Sequence, residues 1–563
     1  PSIRQLWPLT DVLMPPRGKG LTVEGRPVLN LSLALNHATG GLTVRGYHVF
    51  NVVVHALAAL TLYGVVRRTL LLPRMRGRPG DAAHSLAALV ALLWALHPLQ
   101  TESVTYVIQR AEALVGLFYL LTLYAFVRCA GGPSGPALPW KIVCVIACLI
   151  GMATKEVMVS APLIILLFDR AFCAGSFGEA WRQRRGLHAA LFSTWLLLGA
   201  LVLATGTRGG TAGFGINVTP WAYAQTQFEA VTRYLALSFW PHPLIFDYGV
   251  RWVQGVGAVL PHALVVLSLS AATILAWRRS PAVAWLALLF FAVLSPTSSI
   301  VPGNRQTLAE HRMYLPLAAV IVLVVVGVDA AIRQRRRVLF TLGVATAIAF
   351  GVLTVRRNFD YRSEVALYRD TALKRPDNGF ARYNLGKALA EIGRHADALA
   401  EYEAALPLMA NAPGVQYNRA NSLAALGRKD DAVAGYEGAL RAEPRYPRAH
   451  FNLGNVLVEL GRKKEAAAHF ATAVSQDAGL LEARANLGGV LLELGRLGEA
   501  RDQLEQVLRR DGNHVLALFN LGNVCLLEKR GSEAVRLFER VLALRPDLAI
   551  ARDRLEQARG LPR

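Results

Sequence analysis

The chain has 563 residues, of which 53% are hydrophobic, a mean hydropathy of +0.33 and a formal net charge of +22. This hydropathy excludes an ordinary soluble protein of that length, because so much apolar sequence needs lipid around it. Residues 1–360 hold 31 basic and 13 acidic side chains, and residues 361–563 hold 30 and 26, so the charge excess belongs to the apolar part. No basic stripe is interleaved with aromatic residues, which argues against a nucleic-acid partner. The five cysteines form neither a CxxC pair nor a metal-ligand spacing, and we predict no metal site.

Residues 1–45 are predicted to be a first extracytoplasmic loop. The chain starts at Pro1, and nothing before Tyr47 has the hydrophobic core of a signal peptide. We therefore expect that an N-terminal segment, including a first span, is missing.

Ten apolar runs of about 15–22 residues predict ten membrane-spanning helices between residues 46 and 355. They lie at 46–66, 83–97, 106–127, 140–154, 157–171, 187–204, 257–277, 281–295, 314–332 and 338–355. Short cytoplasmic loops collect Lys and Arg. One set of alternate loops holds seventeen basic residues, and the intervening loops hold six. The intervening set has so few although it includes the long loop from Thr205 to Val256. This places residues 1–45 and everything after Val355 on the extracytoplasmic side.

Ionisable residues near the predicted outer ends of the spans are candidate site residues, because charges are costly at a membrane. They are His97, Glu102, Arg110, Glu112, Lys155, Glu156, Glu310, His311 and Arg312. We interpret them as a pocket in which Arg110, Lys155, His311 and Arg312 bind the phosphate of a lipid-linked substrate. Glu102 or His97 is the candidate for proton transfer. For any one of these residues, an interfacial anchor or a helix-end ion pair is an equally good interpretation.

The C-terminal third repeats with a period of 34 residues, which is typical of the paired antiparallel helices of tetratricopeptide repeats. The period is marked by Asn384, Asn418, Asn452, Asn486 and Asn520. Four inter-helix turns contain a glycine, and the fifth has Lys529 in that position. We predict a half repeat at 361–378, five repeats at 379–548 and a C-terminal cap at 549–563. Such a superhelix offers a concave groove for an extended peptide or protein segment, although a pure assembly scaffold would look the same.

Short motifs in the membrane half, together with the repeats, resemble the transmembrane and tetratricopeptide repeat (TMTC) proteins of the GT-C glycosyltransferase superfamily, which includes protein O-mannosyltransferases. The resemblance covers nearly the whole chain. Its carriers are Arg26-Pro27 with Asn36, Gly46-Tyr47-His48 with Asn51 and His55, HPLQTESV at 97–104 with Gln109-Arg110, Lys155-Glu156, the stretch from Arg233 to Tyr248, Ser298 to Pro302, and EHRMYLP at 310–316.

The resemblance implies an all-α protein, with a GT-C-like membrane helix bundle followed by an α-solenoid. It also implies transfer of a sugar, mannose in the characterised eukaryotic relatives, from a polyprenyl-phosphate donor to Ser or Thr of a protein outside the cytoplasm. One feature departs from the family. GT-C enzymes place a catalytic acidic residue in the first outer loop after a first span, and neither precedes Trp7, while Asp11 and Glu24 do not match the motif. The main catalytic acid is therefore expected upstream of Pro1, or the chain as given is inactive.

The leading hypothesis is a membrane glycosyltransferase that uses a polyprenyl-phosphate sugar and binds its protein acceptor in the repeats. The first alternative is a non-catalytic, membrane-anchored tetratricopeptide scaffold for protein complexes. A third possibility is transfer of a lipid-linked glycan to a cell-surface polymer. Use of a divalent metal stays open. The Ala- and Arg-rich composition favours a bacterial plasma membrane, and in a eukaryote we expect the endoplasmic reticulum.

Overall fold

The computed structural model describes residues 3–4, 6–14, 23–75, 82–130, 137–205, 219–253, 255–296, 306–409 and 411–561. Every regular element in these ranges is helical, which confirms the all-α prediction. The chain divides into two compact units, Pro1–Arg375 and Pro376–Arg563. The motif from Ser298 to Pro302 and the loop residues Arg76, Arg78, Arg208 and Arg305 lie outside the described residues.

Each of the ten predicted apolar runs coincides with a helical segment of the first unit. Six segments are long and apolar enough to cross a membrane, namely Val44–Leu70, Val107–Ala130, Glu156–Ala174, Phe177–Thr205, Val256–Arg279 and Arg336–Asp360. The bent pair Ala83–Leu96 and Pro98–Thr105 makes a seventh. The other three runs form shorter apolar helices, Leu138–Met152, Pro281–Ser295 and Pro316–Ala331. The chain is thus an α-helical membrane protein.

The bend of 55° in the second run falls at His97-Pro98. Proline lacks an N–H and disfavours the helical conformation of the residue before it. His97 accordingly has an extended backbone, with φ −64° and ψ 130°. Its Nδ1 accepts the N–H of Leu99 at 3.2 Å and starts the turn that leads into the short helix Thr101–Thr105. Glu102 therefore lies on a separate helical turn instead of continuing the span.

The helix Pro220–Phe239 was not predicted. It lies within residues 205–256, which the sequence analysis treats as one outer loop. Thr219 begins the helix by accepting the N–H of Ala222 on its Oγ1 at 3.1 Å. The aromatic residues Trp221, Phe239 and Trp240 are 69%, 62% and 73% exposed at its two ends. Exposed aromatic side chains of this kind are typical of the membrane–water interface.

Tyr314 connects the outer turn Glu310–Met313 to the core of the first unit. Its ring is buried, and its carbonyl oxygen accepts the indole N–H of Trp94 at 2.9 Å. Its hydroxyl lies 2.8 Å from Nδ1 of His55, whose Nε2 lies 3.0 Å from the carbonyl oxygen of Ala95. These contacts hold the turn that carries His311 in a defined position.

The described residues of the second unit, Pro376–Arg563, form five helix pairs. The pairs are Gly379–Glu391 with His395–Ala405, Pro413–Ala425 with Lys429–Ala442, Pro447–Glu459 with Lys463–Gln476, Leu481–Glu493 with Leu497–Arg510, and Val515–Leu527 with Gly531–Leu544, and Ala549–Arg559 follows them. Glu364–Lys374, within the first unit, occupies the position of the predicted half repeat. The turn glycines have φ between +76° and +79°, and Lys529 takes the same left-handed conformation with φ +59°.

Gly454 lets the two helices of the third repeat approach closely. A Cβ at this position would lie 2.6 Å from Cε1 of the buried Phe470. Gly454→Ala is therefore expected to destabilise the repeat array by about 1–3 kcal/mol through overpacking. Hydrogen exchange of the helices Pro447–Glu459 and Lys463–Gln476 in the full chain, followed by mass spectrometry, measures the loss.

Gly498→Ala is the matched control, because a Cβ on this helical glycine meets nothing within 4 Å. It should leave protection unchanged or raise it, since alanine is the better helix former. Equal protection in the two variants would contradict the close-packing argument.

Candidate functional site

Four of the predicted site residues form one buried ionic chain in the first unit. The Glu102 carboxylate accepts the backbone N–H of His311 at 3.2 Å, and His311 Nδ1 lies 2.6 Å from Glu102 Oε1. His311 Nε2 is 3.9 Å from Glu112 Oε1, and the Lys155 ammonium forms an ion pair with the same oxygen. All four residues are at least 93% buried. The order of contacts is therefore Glu102, His311, Glu112 and Lys155.

The ends of four helical segments place these side chains. Glu102 lies on Thr101–Thr105, Glu112 in the first turn of Arg110–Ala130, Lys155 at the start of the turn Glu156–Ser160, and His311 in the turn Glu310–Met313. Beside them, Arg26 binds both oxygens of Glu156 at 3.2 and 3.4 Å. Two carboxylates, an imidazole and an ammonium group from distant parts of the sequence thus meet in one buried cluster.

Two contacts join Glu102 and His311. One Glu102 oxygen accepts the backbone N–H of His311, and a single proton lies between His311 Nδ1 and the other oxygen. Burial lowers the pKa of His311 to about 3, although Glu112 acts in the opposite direction. The ring is therefore neutral at physiological pH, and when Glu102 is ionised the proton is on Nδ1 and Nε2 carries the lone pair.

Glu310 is a buried carboxyl group adjacent to this chain. Its Oε1 accepts the N–H of Ile245 at 2.6 Å and the hydroxyl of Tyr248 at 2.7 Å. Burial raises the pKa of Glu310 to about 7, while the charge of Arg357 and the two hydrogen bonds oppose the rise. The group consequently titrates near neutral pH.

Glu310→Gln is expected to remove a pH-dependent loss of stability. In the unfolded chain Glu310 ionises near pH 4.5 and in the folded chain near pH 7, so the folded state binds more protons between these values and loses stability as the pH rises. The loss amounts to about 3 kcal/mol by pH 8. The glutamine amide of the variant keeps an oxygen for both donors and does not ionise. Thermal unfolding in detergent from pH 5 to 8 measures the stability of both proteins. The stability of the wild type minus that of the variant should fall as the pH rises, and a difference that does not change with pH would contradict the argument.

Arg110 lies beside the ionic chain but binds protein acceptors. Its Nε donates to Asn51 Oδ1 at 2.7 Å, Nη1 to the Ser32 carbonyl at 3.0 Å and Nη2 to the Tyr47 carbonyl at 3.1 Å. The guanidinium also lies 4.3 Å from the centre of the Phe50 ring. Arg110 is completely buried, and in this structure it ties three helices together.

His97 is also completely buried and has contacts for both ring nitrogens. Nδ1 accepts the N–H of Leu99, so the proton is on Nε2, which lies 3.2 Å from the Ser238 carbonyl oxygen. Among the described residues, His97 forms no hydrogen bond with Glu102 or His311. Arg312 is next to His311, and its Nη2 donates to the Gln306 carbonyl at 3.1 Å.

Arg357 is a site residue that was not predicted. It is 6% exposed, forms ion pairs with Asp360 and Asp370 at 2.9 and 2.6 Å, and its charge lowers the pKa of Glu310. The sequence feature that could have indicated this residue is the pair Arg356-Arg357 directly after the last predicted span. No group of three or more His, Cys, Asp or Glu side chains suited to a metal ion occurs in the described part of the chain.

Comparisons with known proteins agree with this architecture. The tetratricopeptide repeat family matches residues 360–415, 417–480 and 486–549. The chain is 25% identical over 435 residues to the mouse protein O-mannosyl-transferase TMTC4, covering 67% of this chain and 57% of that protein. It is 25% identical over 439 residues to human TMTC1, with 68% and 48% covered, and 24% identical over 491 residues to Drosophila melanogaster Tmtc1, with 69% and 55% covered.

Two solved structures also match the repeats. The peptide-binding tetratricopeptide protein YrrB is 26% identical, with 33% of this chain and 96% of that chain covered and a TM-score of 0.31. A thermophilic tetratricopeptide protein from Thermus thermophilus is 23% identical, with 32% and 100% covered and a TM-score of 0.26.

The fold and the comparisons define the class as an all-α membrane protein that ends in a tetratricopeptide repeat solenoid. Within that class the chain is TMTC-like, which confirms the resemblance seen in its motifs. The chain spans about half the length of the curated relatives it matches.

Proposed function

We propose that the chain belongs to a membrane glycosyltransferase that moves a hexose, mannose or another, from a polyprenyl-phosphate donor to Ser or Thr of an extracytoplasmic protein. The observation that carries the proposal is the buried pair of Glu102 and His311, at 2.6 Å, beside a second carboxylate and an ammonium. The relatives TMTC4 and TMTC1 are named protein O-mannosyl-transferases, which supports the same reaction class.

In this proposal His311 is the base and Glu102 positions it. The acceptor hydroxyl gives its proton to Nε2 while its oxygen bonds to the anomeric carbon, and the bond from that carbon to the phosphate oxygen breaks. The leaving group is polyprenyl phosphate, and attack from the opposite side inverts the anomeric configuration. Glu112, 3.9 Å from Nε2, stabilises the imidazolium that forms. General-base assistance of this kind contributes about 10²- to 10⁴-fold in rate.

Arg312 is the proposed first ligand of the donor phosphate, because it follows His311 directly in the same turn. A guanidinium suits a phosphate since it donates two parallel hydrogen bonds. Lys155 and Arg110 stay predicted ligands, but Lys155 has Glu112 as its partner, and Arg110 would have to leave its three protein acceptors.

The repeats are the proposed acceptor-binding unit. A recess of about 1000 Å³ in the second unit is lined by Asn486, Asn520 and Phe519 among others. The Asn486 carboxamide donates to Asn455 Oδ1 at 2.8 Å, which aligns the two amides. Aligned carboxamides can donate to and accept from the backbone of an extended peptide.

A transfer assay tests the proposal. The chain, expressed with any coding sequence that precedes Pro1, is incubated with a labelled polyprenyl-phosphate hexose and a Ser- and Thr-containing protein. We expect labelled protein, with Arg312→Ala raising the KM for the donor and Asn486→Ala raising the KM for the acceptor. Arg279→Ala, an exposed arginine of a predicted cytoplasmic loop, is the control. Absence of transfer with every hexose donor would overturn the proposal and leave the scaffold function.

A further inference from the structure

An apolar cavity lies among the helices of the first unit, and no residue of the ionic chain lines it. It measures about 90 Å³. Most of its lining comes from four helical segments, Val44–Leu70, Val107–Ala130, Pro281–Ser295 and Pro316–Ala331. A cavity holds one water-sized group for roughly every 10–15 Å³, so this one has room for about six to nine methylene groups.

The cavity offers no free polar group to a ligand. Thr69 and Trp285 are the lining residues with a polar side-chain atom, and both use that atom within the protein. Thr69 Oγ1 donates to the Val65 carbonyl oxygen at 2.8 Å, and Trp285 Nε1 donates to the Ile164 carbonyl oxygen at 3.0 Å. Water needs several polar partners in such a space, whereas a hydrocarbon chain gains dispersion contacts with the whole lining.

The cavity opens toward the membrane face that the loop charges predict to be cytoplasmic. Most lining side chains are buried, and the half-buried ones are Thr69, Ala282, Leu286, Val322 and Val326. Thr69, Ala282 and Val326 lie within two turns of the predicted cytoplasmic ends of their helices. Leu286 and Val322 lie one turn deeper than Ala282 and Val326. A chain would therefore enter the cavity from the lipid leaflet on that side.

Arg170 supplies a positive charge at the same end of the molecule. It precedes the lining residue Phe172 by two positions. Its guanidinium lies 4.3 Å from the centre of the Trp277 ring and 5.1 Å from the centre of the Phe177 ring. In the part of the chain that the structure describes, no carboxylate pairs with it. A guanidinium that stacks on aromatic rings keeps the N–H groups of its edge for an anion.

The neighbouring ionic groups do not neutralise Arg170. Asp169, the carboxylate next to it, binds Arg184 at 2.8 Å and His188 at 2.9 Å. Arg74 adds a second positive charge, and its guanidinium donates to two carbonyl oxygens at the end of the turn that carries Arg170. The surroundings of Arg170 therefore favour the phosphate of an anionic headgroup.

We propose that the cavity binds one acyl chain of an anionic phospholipid from this leaflet, with the lipid phosphate at Arg170. An anionic phospholipid carries both groups that the structure calls for, a hydrocarbon chain for the dry cavity and a phosphate for the planar guanidinium. The inference does not depend on sugar transfer.

Lipid titrations of the full chain in detergent, followed by native mass spectrometry, test the cavity. Phosphatidylglycerol is the anionic probe and phosphatidylcholine the zwitterionic one. We expect one phosphatidylglycerol to bind about tenfold more tightly than phosphatidylcholine. Ala282→Phe places a ring in the opening and should weaken the binding of both lipids about tenfold. Val283→Phe is the matched control, since Val283 is 43% exposed on the same helix and does not line the cavity.

Arg170→Gln tests the headgroup contact. It should weaken the binding of phosphatidylglycerol about tenfold, the loss of one charge-assisted hydrogen bond, and bring it close to that of phosphatidylcholine. Arg185→Gln, an exposed arginine on the same predicted side, is the control. Because Arg170 is only half-buried, this variant carries the test if Ala282→Phe does not fold.

The proposal is supported if Ala282→Phe and Arg170→Gln weaken binding and their controls bind like the wild type. It is overturned if folded Ala282→Phe binds phosphatidylglycerol like the wild type, because the chain then lies elsewhere. Equal losses in Arg170→Gln and Arg185→Gln would also overturn it, since they would show attraction by the general charge of that face. Displacement of phosphatidylglycerol by an equimolar amount of polyprenyl phosphate would overturn it as well, because the cavity would then belong to the donor tail.

Discussion

Replacing Lys155 by methionine is expected to destabilise the first unit by about 3–5 kcal/mol, because it leaves a buried carboxylate without its counterion. The Lys155 and Glu112 side chains are only 7% and 6% exposed, and their ion pair closes the ionic chain. Methionine has a similar length and no charge, so the loss reports the unpaired Glu112. Equilibrium unfolding in mixed detergent micelles, followed by circular dichroism, measures the free energy.

Two variants separate the ion pair from general effects of the substitution. Lys141→Met, at an exposed position in a predicted cytoplasmic loop, should change the stability by less than about 0.5 kcal/mol. Glu112→Gln combined with Lys155→Met removes both charges and should recover much of the loss, as a double-mutant cycle requires. A double variant as unstable as Lys155→Met would show that Lys155 acts by packing and not by pairing.

Patterns that act locally could be predicted from the sequence. Apolar runs of sufficient length can only be buried or lie in lipid, and each one is a helix in the structure. The repeat period needs no tertiary information, and a turn that requires positive φ shows as glycine. The sequence shows that the fifth turn has Lys529 where the other four have glycine. The backbone there keeps the left-handed conformation, with φ +59°.

The missed helix Pro220–Phe239 has a physical explanation. Gln225, Gln227, Glu229 and Arg233 interrupt its apolar residues, so a search for membrane-spanning runs passes over it. An interfacial helix needs only one apolar side, with aromatic residues at the boundary. Its existence brings Arg233 to Arg251 and Arg375, an arrangement that no spacing in the sequence indicates.

The candidate site was predicted as a set of residues but not as a set of contacts. Glu102 and His311 are separated by 209 positions and Lys155 and Glu112 by 43, and only the packing of helix ends decides which charges meet. For the same reason the sequence could not show that Asn51, Ser32 and Tyr47 occupy the donors of Arg110. A sequence does not show which acceptors an arginine side chain binds.

His311→Gln is expected to lower the rate of sugar transfer about 10²- to 10⁴-fold, with little change in the KM for the donor. Glutamine can still donate a hydrogen bond to Glu102, but it cannot take a proton from the acceptor hydroxyl. Burial lowers the pKa of His311 to about 3, so the imidazole is neutral at every pH from 5 to 8. The rate constant of the wild type should accordingly show no loss attributable to His311 protonation in this range. Single-turnover measurements with saturating donor give the rate of the chemical step.

His262→Gln is the matched control, because His262 lies in the same unit and its Nδ1 contacts Thr232 at 2.8 Å instead of the ionic chain. Its rate should stay within about twofold of the wild type, since a change remote from the reacting groups leaves the transition state unaltered. Glu102→Gln should lower the rate about as much as His311→Gln, because its amide can donate to Nδ1 and move the ring proton to Nε2, where the mechanism needs the lone pair. If His311→Gln transfers sugar at the wild-type rate, the base is a different residue. The ionic chain then serves stability alone.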